Sequence, residues 1–161
     1  MNLPRFSAKA ARKVKDKVPV PEQCPHCNSP VQFACNEVVY GRPYGDWPWL
    51  YLCQNPACRA YVGTHPHTNI PLGSLATSEL RAARKEAKEV FNCLWQTGRM
   101  TRSEAYSWLA TRMNIPVAAC HFGWFDEAQC RKAINIIQAP PPPLKKATAK
   151  DFAELKRLLG A

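Results

Sequence analysis

Cys24-Pro25-His26-Cys27, together with its counterpart Leu52-Cys53-Gln54-Asn55-Pro56-Ala57-Cys58, decides how this chain folds. A two-residue gap lets Cys24 and Cys27 aim both sulfurs at one ion from a short turn. The four-residue gap between Cys53 and Cys58 makes a slightly wider turn of the same kind. The 25 residues between the pairs are enough chain for strands that bring the two turns together. Four thiolates in tetrahedral geometry suit zinc, close its coordination shell and leave no position for a substrate water. Iron also accepts four thiolates, and either pair alone could be a chance cluster of small buried hydrophobes. Two pairs around a strand-rich interval favour one structural Zn2+ held by Cys24, Cys27, Cys53 and Cys58. Its binding energy, on the order of 10 kcal/mol, would replace much of the apolar core that residues 20–63 lack.

Outward from the cysteines, residues 20–73 are rich in Pro, Gly, Asn and aromatics, with short β-like runs at 31–34, 38–40, 49–52 and 60–63. After Thr77 the period changes. Leu80, Ala83, Ala87, Val90, Phe91 and Leu94 recur at three- and four-residue spacing, which predicts a helix over 78–96 that stops before Gly98. Thr101 followed by Glu104 is a capping-box signal for a second helix, with Ala105, Trp108 and Leu109 along one side and an end near Asn114, before Pro116. Asp126 followed by Gln129 starts a third, with Ala133, Ile134 and Ile137 as its buried stripe. The expected fold class is α+β: a basic flexible arm (1–19), a small zinc-ribbon-like β module (20–76) and a compact three-helix unit (77–138). A Pro-rich spacer (139–143) and a short basic amphipathic helix (144–161) carrying Phe152, Leu155, Leu158 and Leu159 complete it.

The formal charge of +10 is uneven. Residues 1–19 carry a net +5, including Lys13, Lys15 and Lys17, and residues 140–161 add +3, so the centre is an ordinary surface. Basic ends steer association with phosphate backbones or with an acidic protein surface, and charge alone does not distinguish the two. A short helix over 8–18 is expected where the arm is bound. Charged residues recur through Lys17 before any apolar run, so no signal-peptide core is expected, and no stretch of about 18 apolar residues spans a membrane. Eight cysteines without a secretory signal fit metal-binding thiolates in a reducing cytoplasm better than a disulfide framework.

Other residues could carry chemistry. His26, inside the first cysteine turn, is an alternative ligand or a hydrogen-bonding turn residue. His65 and His67 flank Pro66 and could face one way, either as part of a second metal site or as a locked turn. Cys120, His121 and Cys130 form the only thiol and imidazole cluster outside the cysteine turns, and covalent catalysis there requires spatial reach and an oriented base. The aromatics Tyr40, Tyr44, Trp47, Trp49, Tyr51 and Tyr61 are either sheet cover or stacking surfaces for unpaired bases, with Arg42 and Arg59 close by to hold phosphates. Arg42, Tyr44 and Trp47 lie in a Gly/Pro-rich turn. With Arg59 and the arm lysines they are the expected nucleic-acid or partner contacts.

Several motifs in order resemble one family. They are the run from Val39 to Gly45 (Val-Tyr-Gly-Arg-Pro-Tyr-Gly), then Leu52-Cys53, then Cys58-Arg59-Ala60-Tyr61-Val62-Gly63-Thr64-His65 and Pro71-Leu72-Gly73-Ser74-Leu75-Ala76. Leu80-Arg81, Arg84, Trp95, Arg99-Met100, Glu104-Ala105-Tyr106, Trp108-Leu109-Ala110, Cys120-His121-Phe122-Gly123, Phe125-Asp126 and Cys130 continue the likeness. Over about residues 22–138 the chain resembles a phage and prophage zinc-finger-containing domain family of uncharacterised function. His67 stands where glycine is expected after the His-Pro pair, and the second cysteine turn is longer than the common two-residue form. The resemblance implies a virus- or prophage-encoded accessory protein made in the cytoplasm of a bacterial host. The leading expectation is a nucleic-acid-associated zinc protein acting on DNA or RNA. The alternative is a factor that binds an acidic host protein and inhibits or redirects its complex, and a metal- or cysteine-dependent enzyme comes third.

Overall fold

A computed structural model describes residues 4–98 and 100–139. The expected C-terminal helix, and the proline spacer beyond residue 139, lie outside the described residues. Three antiparallel strands, β1 (Val31–Cys35), β2 (Trp49–Cys53) and β3 (Tyr61–Gly63), form one sheet in the order β1-β2-β3. The register pairs Phe33 with Tyr51, Tyr51 with Val62 and Leu52 with Tyr61. Because side chains alternate along a strand, Val31, Phe33, Trp49, Tyr51, Cys53 and Val62 share one face, while Ala34, Leu50, Leu52 and Tyr61 share the other. On the first face Phe33 stacks on Trp49 at 5.2 Å between centroids, and the Tyr51 hydroxyl donates to the Asn69 carbonyl. This aromatic cover meets the cysteines directly: Cys24, Tyr51, Cys53, Ala60 and Leu75 form one buried cluster, with Val31, Phe33 and Val62 against it.

Residues 38–40, expected as strand, are instead part of a single helical turn, α2 (Glu37–Tyr40), following the first helix α1 (Ala8–Lys13). The cause lies in Asn36, which is buried. Its side-chain amide donates to the Tyr44 carbonyl at 2.8 Å, and its side-chain oxygen accepts from the Tyr44 amide at 3.0 Å. Both backbone groups of Tyr44 are thereby satisfied by one side chain. The chain folds back into a loop over 41–48, and the β preference of Val38 and Val39 gives way to this tertiary demand.

Three longer helices follow, α3 (Ser78–Gln96), α4 (Arg102–Met113) and α5 (Glu127–Gln138), with a 3-10 turn at Val117–Ala119. Their starts are those read from the sequence. The Thr77 hydroxyl accepts from the Leu80 amide, and Thr101/Glu104 and Asp126/Gln129 both close reciprocal capping boxes. α3 packs on α4 and α5, and α4 on α5. Ala87, Phe91, Ala105, Leu109, Met113, Phe122, Phe125, Cys130 and Ala133 are buried together between them. Phe91 is fully enclosed, with Tyr106 at 4.6 Å and Phe122 at 5.1 Å, and burial of such a side chain contributes about 1.5–3 kcal/mol.

The β module and the helical unit meet at a close backbone contact. A Cβ on Gly73 would lie 2.3 Å from the Gly123 carbonyl oxygen, and the Ser74 amide donates to that same oxygen at 3.1 Å. Arg84 of α3 reinforces the contact. Its guanidinium donates to the Phe125 carbonyl at 2.8 Å, the Ser74 carbonyl at 3.0 Å and the Ser74 hydroxyl at 2.7 Å, tying both loops to the helix.

The basic arm, expected to be flexible, is laid over both parts. The Phe6 ring meets Phe33 at 5.9 Å and Trp47 at 6.3 Å, and the Ser7 amide donates to the His67 carbonyl. Ser7 caps α1, which is shorter than the expected 8–18 because the chain turns extended at Val14. Beyond it, Asp16 lies 3.5 Å from His121.

Candidate metal centre and the exposed aromatic edge

Each cysteine turn is shaped by its backbone. In the first, the Asn28 amide donates to the Cys24 carbonyl and the Cys24 amide to the Ser29 carbonyl, with Asn28 left-handed at φ 57°. In the second, the Cys58 and Arg59 amides both donate to the Asn55 carbonyl, the Asn55 side chain accepts from the Ala57 amide, and Arg59 is left-handed at φ 46°. The residue after the last cysteine of each turn thus reverses the chain the same way, although one loop is two residues longer. That is how the wider turn is accommodated.

The four sulfurs converge. Cys24 Sγ lies 3.7 Å from Cys58 Sγ, Cys27 Sγ lies 3.4 Å from Cys53 Sγ, and all four fall within 4.8 Å of one another. A regular tetrahedron of sulfurs about 2.3 Å from zinc has edges of about 3.8 Å, so the donor set fits a Zn2+ ion with only small adjustments. Cys24 and Cys53 are buried, and Cys27 and Cys58 are half-buried. Backbone amides of Ser29, Asn55 and Ala60 favour the thiolates of Cys27, Cys53 and Cys58 respectively. The Ser29 hydroxyl, followed by its amide, lowers the Cys27 thiol to about 6, whereas burial raises Cys53 to about 12. At Cys58 the Ala60 amide pulls downward, but burial and the Cys24 and Cys27 sulfurs hold the thiol above its ordinary value. Such a mixed set becomes fully thiolate only when a cation supplies the compensating charge. His26 is not a fifth candidate, because its Nε2 lies 3.0 Å from the Leu75 carbonyl and ties the first turn to the segment leading into α3.

The remaining histidines and cysteines do not assemble a second centre. Among the described residues the four cysteines are the one group of three or more metal-ligating side chains that converges. His65 closes a turn in which the buried Thr68 hydroxyl donates to the His65 carbonyl, and burial lowers the His65 imidazole. His67 takes φ 59° and lays its ring 5.1 Å from Trp47. The left-handed backbone explains why glycine suits that position. His121 lies against Trp124, the rings tilted at 41° with centroids 4.2 Å apart. Cys120 and Cys130 are buried, and burial raises both thiols, the opposite of an activated nucleophile.

The expected contact residues separate into two sets. Trp47 is used internally: its indole N–H donates to the Thr64 hydroxyl at 2.9 Å and to the Thr68 carbonyl at 3.2 Å, and its ring is flanked by Phe6 and His67. Arg42 and Tyr44 are exposed, Tyr44 to 70 %. Arg59 is exposed but anchored, donating to the Val38 carbonyl at 2.8 Å. Lys13, Lys15 and Lys17 are exposed along the arm, with Lys13 and Lys15 beside His65 and His121 in a recess of about 390 Å³.

Of the aromatics read as either sheet cover or stacking surface, Tyr40 joins this exposed edge, and Arg81, for which the sequence suggests no binding role, supports it. Tyr40, 51 % exposed, lies 6.0 Å from Tyr44, and its hydroxyl bonds the Tyr61 hydroxyl at 2.9 Å. Burial of that end and the Tyr61 bond push the Tyr40 phenol up to about 12. Arg81 sits 3.8 Å above the Tyr61 ring while donating to the Ala76 carbonyl. The Tyr-Gly-Arg-Pro-Tyr spacing hinted at the pair, but Asn36, which folds the loop so that the rings meet, carries no such signal.

A three-stranded sheet closed at one end by four converging thiolates and followed by a three-helix unit defines a small α+β zinc-binding protein with one structural zinc site. The chain belongs to a family of zinc-finger-containing domains, whose model matches residues 20–140. No curated protein and no solved structure matches it significantly. No described helix is long and apolar enough to cross a membrane.

Proposed function

We propose that the protein is a nucleic-acid-associated accessory factor of phage or prophage origin, working in the cytoplasm of a bacterial host, whose zinc holds a binding surface rather than a reaction centre. Four protein thiolates complete the coordination shell, so the metal stabilises the turns and leaves chemistry elsewhere. The observation that carries the reading is the distribution of cations. Arg42 and Arg59 stand on the exposed edge of the zinc module, and Lys13, Lys15 and Lys17 remain exposed although the arm that bears them is laid against the fold. Cations held at the surface suit a polyanion whose charges repeat at short intervals. The phage setting and the compartment rest on the ordered motifs read from the sequence and on thiols gathered at a metal.

The test is purification of the full chain under reducing conditions, followed by titration of labelled DNA and RNA at several salt concentrations. Binding to many sequences that weakens steeply with salt is expected, and Arg42→Gln with Arg59→Gln should reduce the salt slope by about two. If polynucleotides fail to bind while one acidic bacterial protein is recovered stoichiometrically, the nucleic-acid reading is wrong.

A further inference from the structure

Resting on that reading, we infer that the recess between Tyr40 and Tyr44 is a stacking site for one unpaired base, so that the protein selects single-stranded over double-stranded nucleic acid. Large aromatic rings are ordinarily used as cover, as Trp49, Tyr51 and Trp47 are here. Tyr40 and Tyr44 are 51 % and 70 % exposed, and with Arg42 they line a recess of about 310 Å³. Their arrangement is fixed from below. The Asn36 side chain holds both backbone groups of Tyr44, and the Tyr61 hydroxyl, on a ring pinned beneath Arg81, bonds the hydroxyl of Tyr40. The rings are inclined at 58° with centroids 6.0 Å apart, so they do not cover each other face to face. A pair of exposed π-faces, one anchored through its hydroxyl and the other through its backbone, has less freedom to lose on meeting a planar partner, and Arg42 beside them supplies the cation for the adjoining phosphate.

Both faces of a base inside a duplex are already occupied by its neighbours, so only an unstacked base reaches the recess. Charge alone predicts the opposite preference, because a duplex carries more phosphates per unit length than a single strand. A preference for single strands therefore separates stacking from simple cation binding.

The experiment is fluorescence anisotropy with end-labelled oligonucleotides of about 16 nucleotides, single-stranded and as the matching blunt duplex, using the zinc-loaded full chain. The wild type should bind the single strand at least about fivefold more tightly. Tyr44→Ala should abolish that margin by weakening the single strand at least about fivefold more than the duplex, and Tyr44→Phe, which keeps the ring, should retain it. Because Tyr44 is so exposed, zinc content and the circular dichroism spectrum of Tyr44→Ala should match the wild type, which keeps a folding defect from imitating the result. Equal or tighter binding of the duplex, or a single-strand affinity unmoved by Tyr44→Ala, overturns the stacking site and leaves the nucleic-acid reading standing. Failure to bind either form overturns both.

Discussion

Replacing Gly73 by alanine should destabilise the whole protein through one atom. The φ of Gly73 lies outside the left-handed region, so alanine is permitted by the backbone and the effect is purely steric. The new Cβ would stand 2.3 Å from the Gly123 carbonyl oxygen, where ordinary contact begins near 3.4 Å, and the next atoms are also backbone, at 2.8 and 3.1 Å. No side chain can swing aside, so the loops must separate by about 1 Å, an overpacking strain of about 1–3 kcal/mol. The same movement stretches the 3.1 Å bond from the Ser74 amide to Gly123 beyond useful length, adding about 0.5–1.5 kcal/mol. The total is about 1.5–4.5 kcal/mol, or about 3–18 °C in Tm for a chain of this size. Thermal unfolding of the zinc-loaded protein followed by circular dichroism measures it, with zinc content expected to stay at one per chain. Gly123→Ala is the internal comparison. Its Cβ meets the Leu72 carbonyl oxygen at 3.1 Å, so a displacement of a few tenths of an ångström suffices and a smaller loss is expected. A Gly73→Ala protein within about 2 °C of wild type, or one more stable than Gly123→Ala, refutes the close contact as the joint between sheet and helices.

The metal and the helix caps yield further expectations. Cys24→Ala or Cys58→Ala should abolish stoichiometric zinc and melt the strands of the module, since about 10 kcal/mol of binding energy goes with the ion; elemental analysis together with far-ultraviolet circular dichroism checks this, and a variant with full metal and unchanged strand signal defeats the ligand assignment. Zinc should also leave as pH falls, because protons compete for all four sulfurs, and a chromogenic chelator reports the release. Glu104 is held below its ordinary carboxylate range first by the Thr101 amide and then by the Thr101 hydroxyl. A lowered folded-state value means that its contribution is present above the unfolded value and is lost as pH falls through the folded one. Glu104→Ala should therefore lower Tm at neutral pH, with the gap to wild type closing in acid, and a gap independent of pH would show that the capping box does not titrate.

Local signals carried much of the architecture. Thr101 and Asp126 announce helix starts because capping is a matter of three or four consecutive residues, and the apolar spacing from Leu80 to Leu94, which marks the first long helix, needs nothing beyond the helix itself. The four cysteines are legible for a similar reason: two short turns each aim a pair of sulfurs, and the chemistry of thiolates names the ion. Residues 38–40 were not legible, because their β preference is outweighed by an amide whose partner lies eight residues away.

The amino-acid sequence by itself therefore determined the zinc ligands, the three helices and the α+β class, all of which follow from spacing within short segments. Tertiary structure decided which aromatics are structural and which are displayed. Trp47 and Tyr44 lie three residues apart in one Gly/Pro-rich loop, yet Thr64 and Thr68 draw the indole inward while Asn36 turns the phenol out. Those partners come from the residue that follows β1 and from the loop after β3, so the division depends on distances that exist only once the sheet has formed. The joint at Gly73 and Gly123 is of the same kind, since the need for a missing side chain arises from a backbone 50 residues further along the chain.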